Sequence, residues 1–206
     1  MHLVCLDLEG VLVPEIWIAF SEATGIEELR LTTRDISDYD VLMKRRISIL
    51  KEKGLKLPDI QRVIEGMDPL PGAAEFYRKL REISEVIILS DTFTQFAGPL
   101  MKKLGNPTLF CNTLIIDETG SVVDYALRLN DGKRRSVEAF ASIGYDVVAS
   151  GDSYNDLNML KTASRGVLFR PPDTIRDENP QFPAAYDHEE LFQFLSEAIE
   201  SISNAE

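Results

Sequence analysis

The stretch Leu3-Val4-Cys5-Leu6-Asp7-Leu8-Glu9-Gly10 decides the fold, because a short apolar run ends there at an acidic residue. The pattern occurs twice more: residues 86–89 are apolar and precede Ser90 and Asp91, and residues 147–150 precede Gly151 and Asp152. Unbroken apolar runs of this length are typical of strands that are covered on both faces in a parallel sheet.

Further strands and helices alternate along the rest of the chain. We predict strands at residues 166–169 and 184–186, and a hairpin turn at residues 117–120. Periodicity and end signals predict helices at 71–80, 92–104, 136–143, 155–163 and 187–202. The sequence therefore predicts an α/β protein with a doubly wound, mostly parallel, Rossmann-like sheet.

One long segment interrupts this alternation. Residues 14–68 have helical patterns and no clear strand, so we predict a small helical cap inserted after the first strand. The remaining segments, 1–13 and 69–206, would form the α/β catalytic core.

Composition narrows the function classes. The chain has 206 residues and a formal net charge of -12, which argues against nucleic acid as a partner. The two cysteines are not spaced for a disulfide framework or a zinc site. Neither a signal peptide nor a membrane-spanning apolar stretch is visible, so we expect a cytoplasmic protein with no membrane partner. The oligomeric state is left open, with a homodimer among the options.

The strand ends carry the candidate site. In open parallel sheets ligands bind outside the carboxyl ends of the strands, so these ends should meet in one crevice. Crowded carboxylates repel each other unless a cation lies between them, and oxygen ligands favour Mg2+. The residues brought there would be Asp7, Glu9, Ser90, Asp91, Asp152, Asn155 and Asp156.

At this point the sequence resembles the haloacid-dehalogenase-type phosphatase superfamily. Its four motifs stand in order as Asp7-Leu8-Glu9-Gly10, Ser90-Asp91-Thr92, Lys133 and Gly151-Asp152-Ser153-Tyr154-Asn155-Asp156. The resemblance implies that Asp7 attacks phosphorus to form an aspartyl-phosphate, and that Glu9 acts as general acid and base. The family usually has Asp at the position of Glu9, so the longer side chain changes the reach of the acid/base group.

The resemblance also implies ligands for the metal and the phosphoryl group. Mg2+ would be bound by the carboxylates of Asp7 and Asp152 and by the backbone carbonyl of Glu9. Ser90 and the N–H of Asp91 would bind phosphoryl oxygens, and Lys133 would balance the negative charge. The alternative is an ordinary solvated lysine near a helix start, with Arg134 and Arg135 as competitors, but the place of Lys133 after Asp131-Gly132 and before an apolar helix favours the family role.

The fourth motif contains two further candidates. Asn155 would contact substrate or phosphate, and Asp156 would orient the metal site or begin a helix.

A closer resemblance covers nearly the whole chain. Residues 7–20, 32–36, 38–44 and 90–93 look like the bacterial bifunctional phosphoserine phosphatase/homoserine phosphotransferase family. The resemblance implies that Glu15 meets the ammonium group of phosphoserine and Arg46 its carboxylate, with homoserine as a second acceptor. Such an activity would belong to serine and threonine biosynthesis. From the residues alone, Glu15 is a first-turn helix acid and Arg46 part of a solvated basic run.

Rival functions remain at the level of sequence. A phosphatase for another small phosphomonoester, such as phosphoethanolamine or a sugar phosphate, is the main alternative. A signalling receiver also has a phosphorylated Asp on a doubly wound sheet, but receivers lack a cap and their acidic pair precedes that Asp, whereas Asp7 stands first here. A non-catalytic module on a decayed phosphatase fold is disfavoured by the intact set of Asp7, Ser90, Lys133 and Asp152.

Overall fold

The computed structural model describes residues 1–33, 35–36 and 38–204, and it contains one seven-stranded sheet. Arg34, which belongs to a segment that carries the closer resemblance, lies outside the described residues. The strands are β1 (His2–Leu6), β2 (Glu85–Phe93), β3 (Thr108–Ile116), β4 (Val122–Ala126), β5 (Asp146–Gly151), β6 (Arg165–Phe169) and β7 (Ala184–Ala185).

The strand order places the first strand at the centre of the sheet. The order is β4-β3-β2-β1-β5-β6-β7, and every pair is parallel except β3 with β4. The antiparallel pair is the hairpin predicted around residues 117–120, and β6 and β7 are the strands predicted at 166–169 and 184–186. The predicted doubly wound, mostly parallel α/β fold is confirmed.

Helices cover both faces of the sheet. They are α1 (Ile16–Thr24), α2 (Tyr39–Lys53), α3 (Leu57–Glu65), α4 (Ala73–Ile83), α5 (Thr94–Lys103), α6 (Gly132–Ser142), α7 (Leu157–Thr162), α8 (Asp173–Glu178) and α9 (His188–Ser203). Along β1, Val4 and Leu6 join a cluster with α4, α5 and α9, while Leu3 and Cys5 join a cluster with α6, α7 and α8. This alternation between two apolar layers explains why the strand sequences are apolar without a break.

The segment between β1 and α4 is helical, with α1–α3 and a short 3-10 helix at Glu27–Arg30. Several hydrogen bonds join it to the rest of the molecule, and two of them show where. The Tyr39 hydroxyl donates to the Asp91 carbonyl at 2.9 Å, and the Lys56 ammonium group donates to the Thr119 carbonyl at 2.8 Å. The division into a cap and a core at residues 14–68 stays a prediction.

Some element bounds differ from the predictions. Strand β2 continues to Phe93, which pairs with Asn112 of β3, so α5 begins at Thr94 rather than Thr92. Helix α6 begins at Gly132, four residues before its predicted start. The six-residue α8 was not predicted, because it is too short to show a helical period. None of the helices within the described ranges is long and apolar enough to cross a bilayer.

Candidate active site

Three strand ends meet at one edge of the sheet, as predicted. Leu6 pairs with Ile88 on one side and with Ser150 on the other, and the Asp7 N–H donates to the Ser150 carbonyl at 2.9 Å. This register places the residues that follow the three strands next to each other. Asp7 is only 4% exposed although it lies beyond the end of its strand.

Lys133 is the buried cation of this edge. Its ammonium nitrogen is 2.9 Å from Asp7 Oδ1 and 2.7 Å from Asp156 Oδ1, and it lies 3.9 Å from Asp91 Oδ2. Burial disfavours the charged amine, but the carboxylates of Asp156, Asp7 and Asp91 outweigh it and hold the pKa of Lys133 well above its ordinary value. The neighbouring Arg134 instead pairs with Asp131 and Glu138 at the surface.

Asp156 is fully buried and holds the loop after β5 in place. Its Oδ2 accepts the backbone N–H groups of Asp152 at 3.0 Å and Ser153 at 3.1 Å, while its Oδ1 faces Lys133. A Cβ at Gly151 would lie 2.3 Å from Asp156 Cγ, so this contact requires glycine. From the sequence, Asp156 was expected to orient the metal site or to begin a helix. Its hydrogen bond to Lys133 was not predicted.

The carboxylates of Asp7, Asp152 and Asp156 form an acidic cluster whose ligand oxygens lie within 4.8 Å of one another. Asp7 and Asp156 both face Lys133, and Asp152 brings a further carboxylate to the same buried place, so acidic side chains are in excess there. Burial and the neighbouring Asp156 raise the pKa of Asp7 well above its ordinary value, and Lys133 opposes this shift. A divalent cation with a preference for oxygen ligands would neutralise the excess, so the residues present fit Mg2+.

Gly10 lets Asp152 approach the first loop. It has a φ of +81°, and a Cβ there would lie 2.5 Å from Asp152 Oδ2. The absence of a side chain at this position therefore leaves room for one carboxylate of the acidic cluster.

Glu9 points away from the acidic cluster and towards the helical segment. Its Oε2 accepts the N–H of Ile16, the first residue of α1, at 2.9 Å. Burial raises the pKa of Glu9, while the Ile16 N–H and the Arg46 guanidinium act in the opposite direction. The side chain thus lies between the sheet edge and the helices, and a metal-binding role for its backbone carbonyl stays a prediction.

The loop after β5 reaches across to β2. Asn155 donates its amide to Asp91 Oδ2 at 2.9 Å, and its own Oδ1 accepts the Ser153 hydroxyl at 2.5 Å. On β2, the buried Ser90 hydroxyl accepts the Thr92 N–H at 3.2 Å. The motifs that are far apart in sequence are therefore connected by hydrogen bonds.

Arg46 lies on α2 on the helical side and is 6% exposed. One guanidinium nitrogen donates to the Leu31 carbonyl at 2.9 Å, and the group lies over the Trp17 ring, 4.5 Å from its centroid. Burial lowers the pKa of Arg46 to about 10, which leaves it charged at neutral pH. Its Nε is buried without a hydrogen-bond partner among the described residues, and the interpretation of Arg46 as a solvated surface residue is wrong.

A single cavity of about 590 Å³, counted with its mouth, brings the predicted residues together. Its lining includes Asp7, Glu9, Glu15, Arg46, Ser90, Asp91, Lys133, Asp152 and Asn155. Trp17, Thr32, Thr33 and Tyr39 also line it and were not among the predicted site residues. The contact of Trp17 with Arg46 has no signal in the sequence alone.

Comparison with known proteins bears on what this cavity is. Residues 1–164 match the model of the haloacid dehalogenase-like hydrolases. The chain belongs to this hydrolase family. The resemblance seen in the sequence motifs is thereby confirmed, and the cavity lies where the family's motifs converge.

Relatives within the haloacid dehalogenase-like hydrolases span most of the chain. A protein of Pseudomonas syringae named phosphoserine phosphatase is 61% identical over 191 residues, which is 93% of this chain and 81% of that protein. A protein of Pseudomonas aeruginosa named phosphoserine phosphatase ThrH is 57% identical over 204 residues, or 98% of this chain and all of that protein. A solved substrate-bound phosphoserine phosphatase complex has the same fold, with a TM-score of 0.76 at 23% identity, covering 94% of this chain and 97% of the other.

Proposed function

We propose that this protein is a Mg2+-dependent phosphoserine phosphatase that works through an aspartyl-phosphate and can also pass the phosphoryl group to homoserine. The observation that carries the proposal is one cavity with two different ends. Asp7 and Lys133 are at its sheet end, and Arg46 is buried in its helical wall, where its Nε has no hydrogen-bond partner among the described residues. Two relatives that are 57% and 61% identical have phosphoserine phosphatase in their names.

In the first half-reaction, a carboxylate oxygen of Asp7 attacks phosphorus and the bond between phosphorus and the seryl oxygen breaks. Glu9 supplies a proton to the departing oxygen, so that serine leaves as a neutral alcohol. Lys133 is 2.9 Å from Asp7, where it orients the nucleophile and stabilises the charge that develops on the phosphoryl group. Ser90 and the N–H of Asp91 bind phosphoryl oxygens.

In the second half-reaction, Glu9 is a carboxylate and removes a proton from the acceptor. The acceptor oxygen attacks phosphorus, and the bond to Asp7 breaks to regenerate its carboxylate. Water as acceptor gives phosphate, and the homoserine hydroxyl gives phosphohomoserine. Division of the transfer into two displacements is what allows either acceptor to be used.

For Mg2+, the ligands would be Asp7, Asp152 and the Glu9 carbonyl, with Asp156 holding the Asp152 loop in place. When bound, the ion would neutralise charge on the nucleophile and the phosphoryl oxygens. This assignment is supported by the three buried carboxylates whose oxygens converge at this edge of the sheet.

The amino-acid end of the substrate would meet the helical wall. A guanidinium binds a carboxylate with two parallel hydrogen bonds, which suits Arg46, and a carboxylate such as Glu15 suits an ammonium group. Both side chains line the cavity. Asn155 would add a contact near the phosphoryl group.

The direct test is product analysis after incubation with phosphoserine. With Mg2+ alone we expect serine and phosphate, and with added homoserine we expect phosphohomoserine at the expense of phosphate. A chelator should stop both reactions. Hydrolysis of phosphoethanolamine or a sugar phosphate in preference to phosphoserine would favour the alternative of another small phosphomonoester.

Arg46→Ala tests recognition of the substrate carboxylate. We expect kcat/KM for phosphoserine to fall roughly a hundredfold, because a buried charge-assisted pair is lost, while a small artificial phosphomonoester without a carboxylate is hydrolysed nearly as before. Arg45→Ala, at the exposed neighbouring position, is the matched control and should change neither value. Equal losses on both substrates would argue against Arg46 as the carboxylate ligand.

A further inference from the structure

His188 is a buried titratable residue outside the cavity. It is the first residue of α9, is 7% exposed, and is absent from the cavity lining. Its ring lies between two aromatic rings, with centroid distances of 5.2 Å to Phe76 and 4.8 Å to Phe169. Apolar packing alone would be served equally well by a third phenylalanine, so the polar atoms of the imidazole need a separate explanation.

Both ring nitrogens face backbone carbonyl oxygens, and the neutral imidazole can donate a hydrogen bond to only one of them while its other nitrogen lies against the second. Nε2 is 2.8 Å from the Val11 oxygen, and Nδ1 is 3.1 Å from the Pro71 oxygen. Val11 lies in the tight turn that follows Asp7 and Glu9, in which the N–H groups of Leu12 and Val13 both donate to the Leu8 carbonyl. Pro71 lies just before α4.

These two carbonyls mark the two places where the chain passes between the sheet and the helical segment. The chain leaves β1 through the turn that contains Val11, and it returns from α3 to α4 past Pro71. The two passages are also bonded to each other, since the Leu70 N–H donates to the Leu12 carbonyl at 2.9 Å. One imidazole from the last helix therefore contacts both ends of the segment that carries Arg46.

We propose that His188 is a positioning residue that fixes both chain passages and thereby aligns the helical wall of the cavity with Asp7. The inference rests on the proposed function, because it is the amino-acid end of phosphoserine that needs this alignment. A rotation at the passages would shift Arg46 relative to the sheet edge. A substrate held at both ends of the cavity is sensitive to such a shift, because misplacement by about 1 Å can cost roughly a hundredfold in rate.

Three substitutions separate the hydrogen bonds from the packing. His188→Phe keeps a ring between Phe76 and Phe169 and removes both polar contacts. His188→Gln places an amide nitrogen near the position of Nε2, opposite Val11, and His188→Asn places one near the position of Nδ1. The measurement is kcat/KM for phosphoserine and for a small artificial phosphomonoester, each corrected for the folded fraction.

For His188→Phe we expect a loss of roughly tenfold or more on phosphoserine and less than about threefold on the artificial ester. We expect His188→Gln to recover most of the loss, because it keeps a donor opposite the shorter contact, and His188→Asn to recover less. A residue needed only for folding would lower both substrates equally. Equal losses, or an unchanged ratio in His188→Phe, would overturn the proposal.

Hydrogen exchange gives a readout that does not depend on substrate. In His188→Phe the amides of Leu12 and Leu70 should exchange faster, while those of β1 and β5 stay as protected as in the wild type. Unchanged exchange at the two passages would refute the role of His188. Failure of the wild type to hydrolyse phosphoserine would instead refute the proposed function.

Discussion

At the residue scale, the site depends on one ammonium group that faces several carboxylates. Lys133 is 5% exposed and is the buried partner of both Asp7 and Asp156. A buried ion pair contributes little by comparison with a well-packed apolar pair, but removal of one partner leaves uncompensated charge. The effect of Lys133 on the free energy of unfolding is therefore expected to be large when the residue is removed.

Lys133→Met should lower the free energy of unfolding of the metal-free protein by about 3 kcal/mol, because the buried carboxylates lose their cation. Addition of Mg2+ should restore part of this loss, since the ion would bind the same carboxylates and stabilise the folded state. Denaturant unfolding with and without Mg2+ measures both effects.

Lys79→Met is the matched control for that experiment. Lys79 pairs with Glu75 at the surface, where the two side chains are 49% and 65% exposed, so its loss should cost less than about 1 kcal/mol. Similar losses in the two variants would show that Lys133 is not the counterion of the cluster.

The residues of the site were predictable from the sequence to different degrees. Asp7, Ser90 and Asp152 follow apolar runs, so their meeting follows from the geometry of a parallel sheet. Lys133 follows no strand, and the family motif distinguished it from Arg134 and Arg135. The bond between Asp156 and Lys133, and the stacking of Arg46 on Trp17, are tertiary contacts with no local signal.

At the scale of elements, the turn after β1 has a glycine at position 10 because the side chain of Asp152, from the loop after β5, lies against it. Gly10→Ala would place a methyl group 2.5 Å from Asp152 Oδ2, so the loops after β1 and β5 would have to move apart. We expect loss of most phosphatase activity and weaker binding of Mg2+ in addition to a loss of stability. Steady-state kinetics across a Mg2+ titration checks this expectation.

Gly105→Ala controls for backbone strain in that comparison. Gly105 has nearly the same φ, +82° against +81°, but no atom lies within 4 Å of the added Cβ. It should cost about 1 kcal/mol of stability and leave activity unchanged. Equal activity in the two variants would mean that the close approach of Asp152 to Gly10 has no catalytic importance.

Two element boundaries differ from the predictions because they depend on contacts that the local sequence pattern does not show. Pairing of Phe93 with Asn112 extends β2 beyond the apolar run, and this pairing depends on a partner strand elsewhere in the chain. The predicted helix at 155–163 begins instead as a 3-10 turn at Tyr154–Asp156, where the Asp156 side chain bonds back to Ser153. The mostly parallel sheet with helices on both faces, by contrast, follows from the apolar runs and from the alternation of strands and helices, whereas the order of the strands was not predicted.

At the scale of the whole molecule, His188 should make stability depend on pH. Burial lowers the pKa of His188 below its ordinary value of 6.5, and Arg170 acts in the same direction, while the two carbonyls and Asp187 oppose it. The folded protein therefore disfavours the imidazolium that the unfolded chain accepts. The resulting stability is present above about pH 6.5 and is lost as pH falls through the lowered folded-state pKa.

The measurement is the free energy of unfolding of wild type and His188→Phe at several pH values. The wild type should lose more stability than the variant as the pH falls below about 6.5, because only the wild type has an imidazole that titrates at this place. Parallel curves for the two proteins in that window would contradict the assignment.

The central claim is that Asp7 is the nucleophile, and rapid acid quenching tests it most directly. Wild-type protein mixed with phosphoserine and Mg2+, quenched in acid and digested, should yield a peptide that contains Asp7 and carries one phosphoryl group. Asp7→Asn should remain folded, yield no such peptide and show no turnover. Phosphate release by the Asp7→Asn variant, or wild-type turnover with the phosphoryl group on a different residue, would contradict the account.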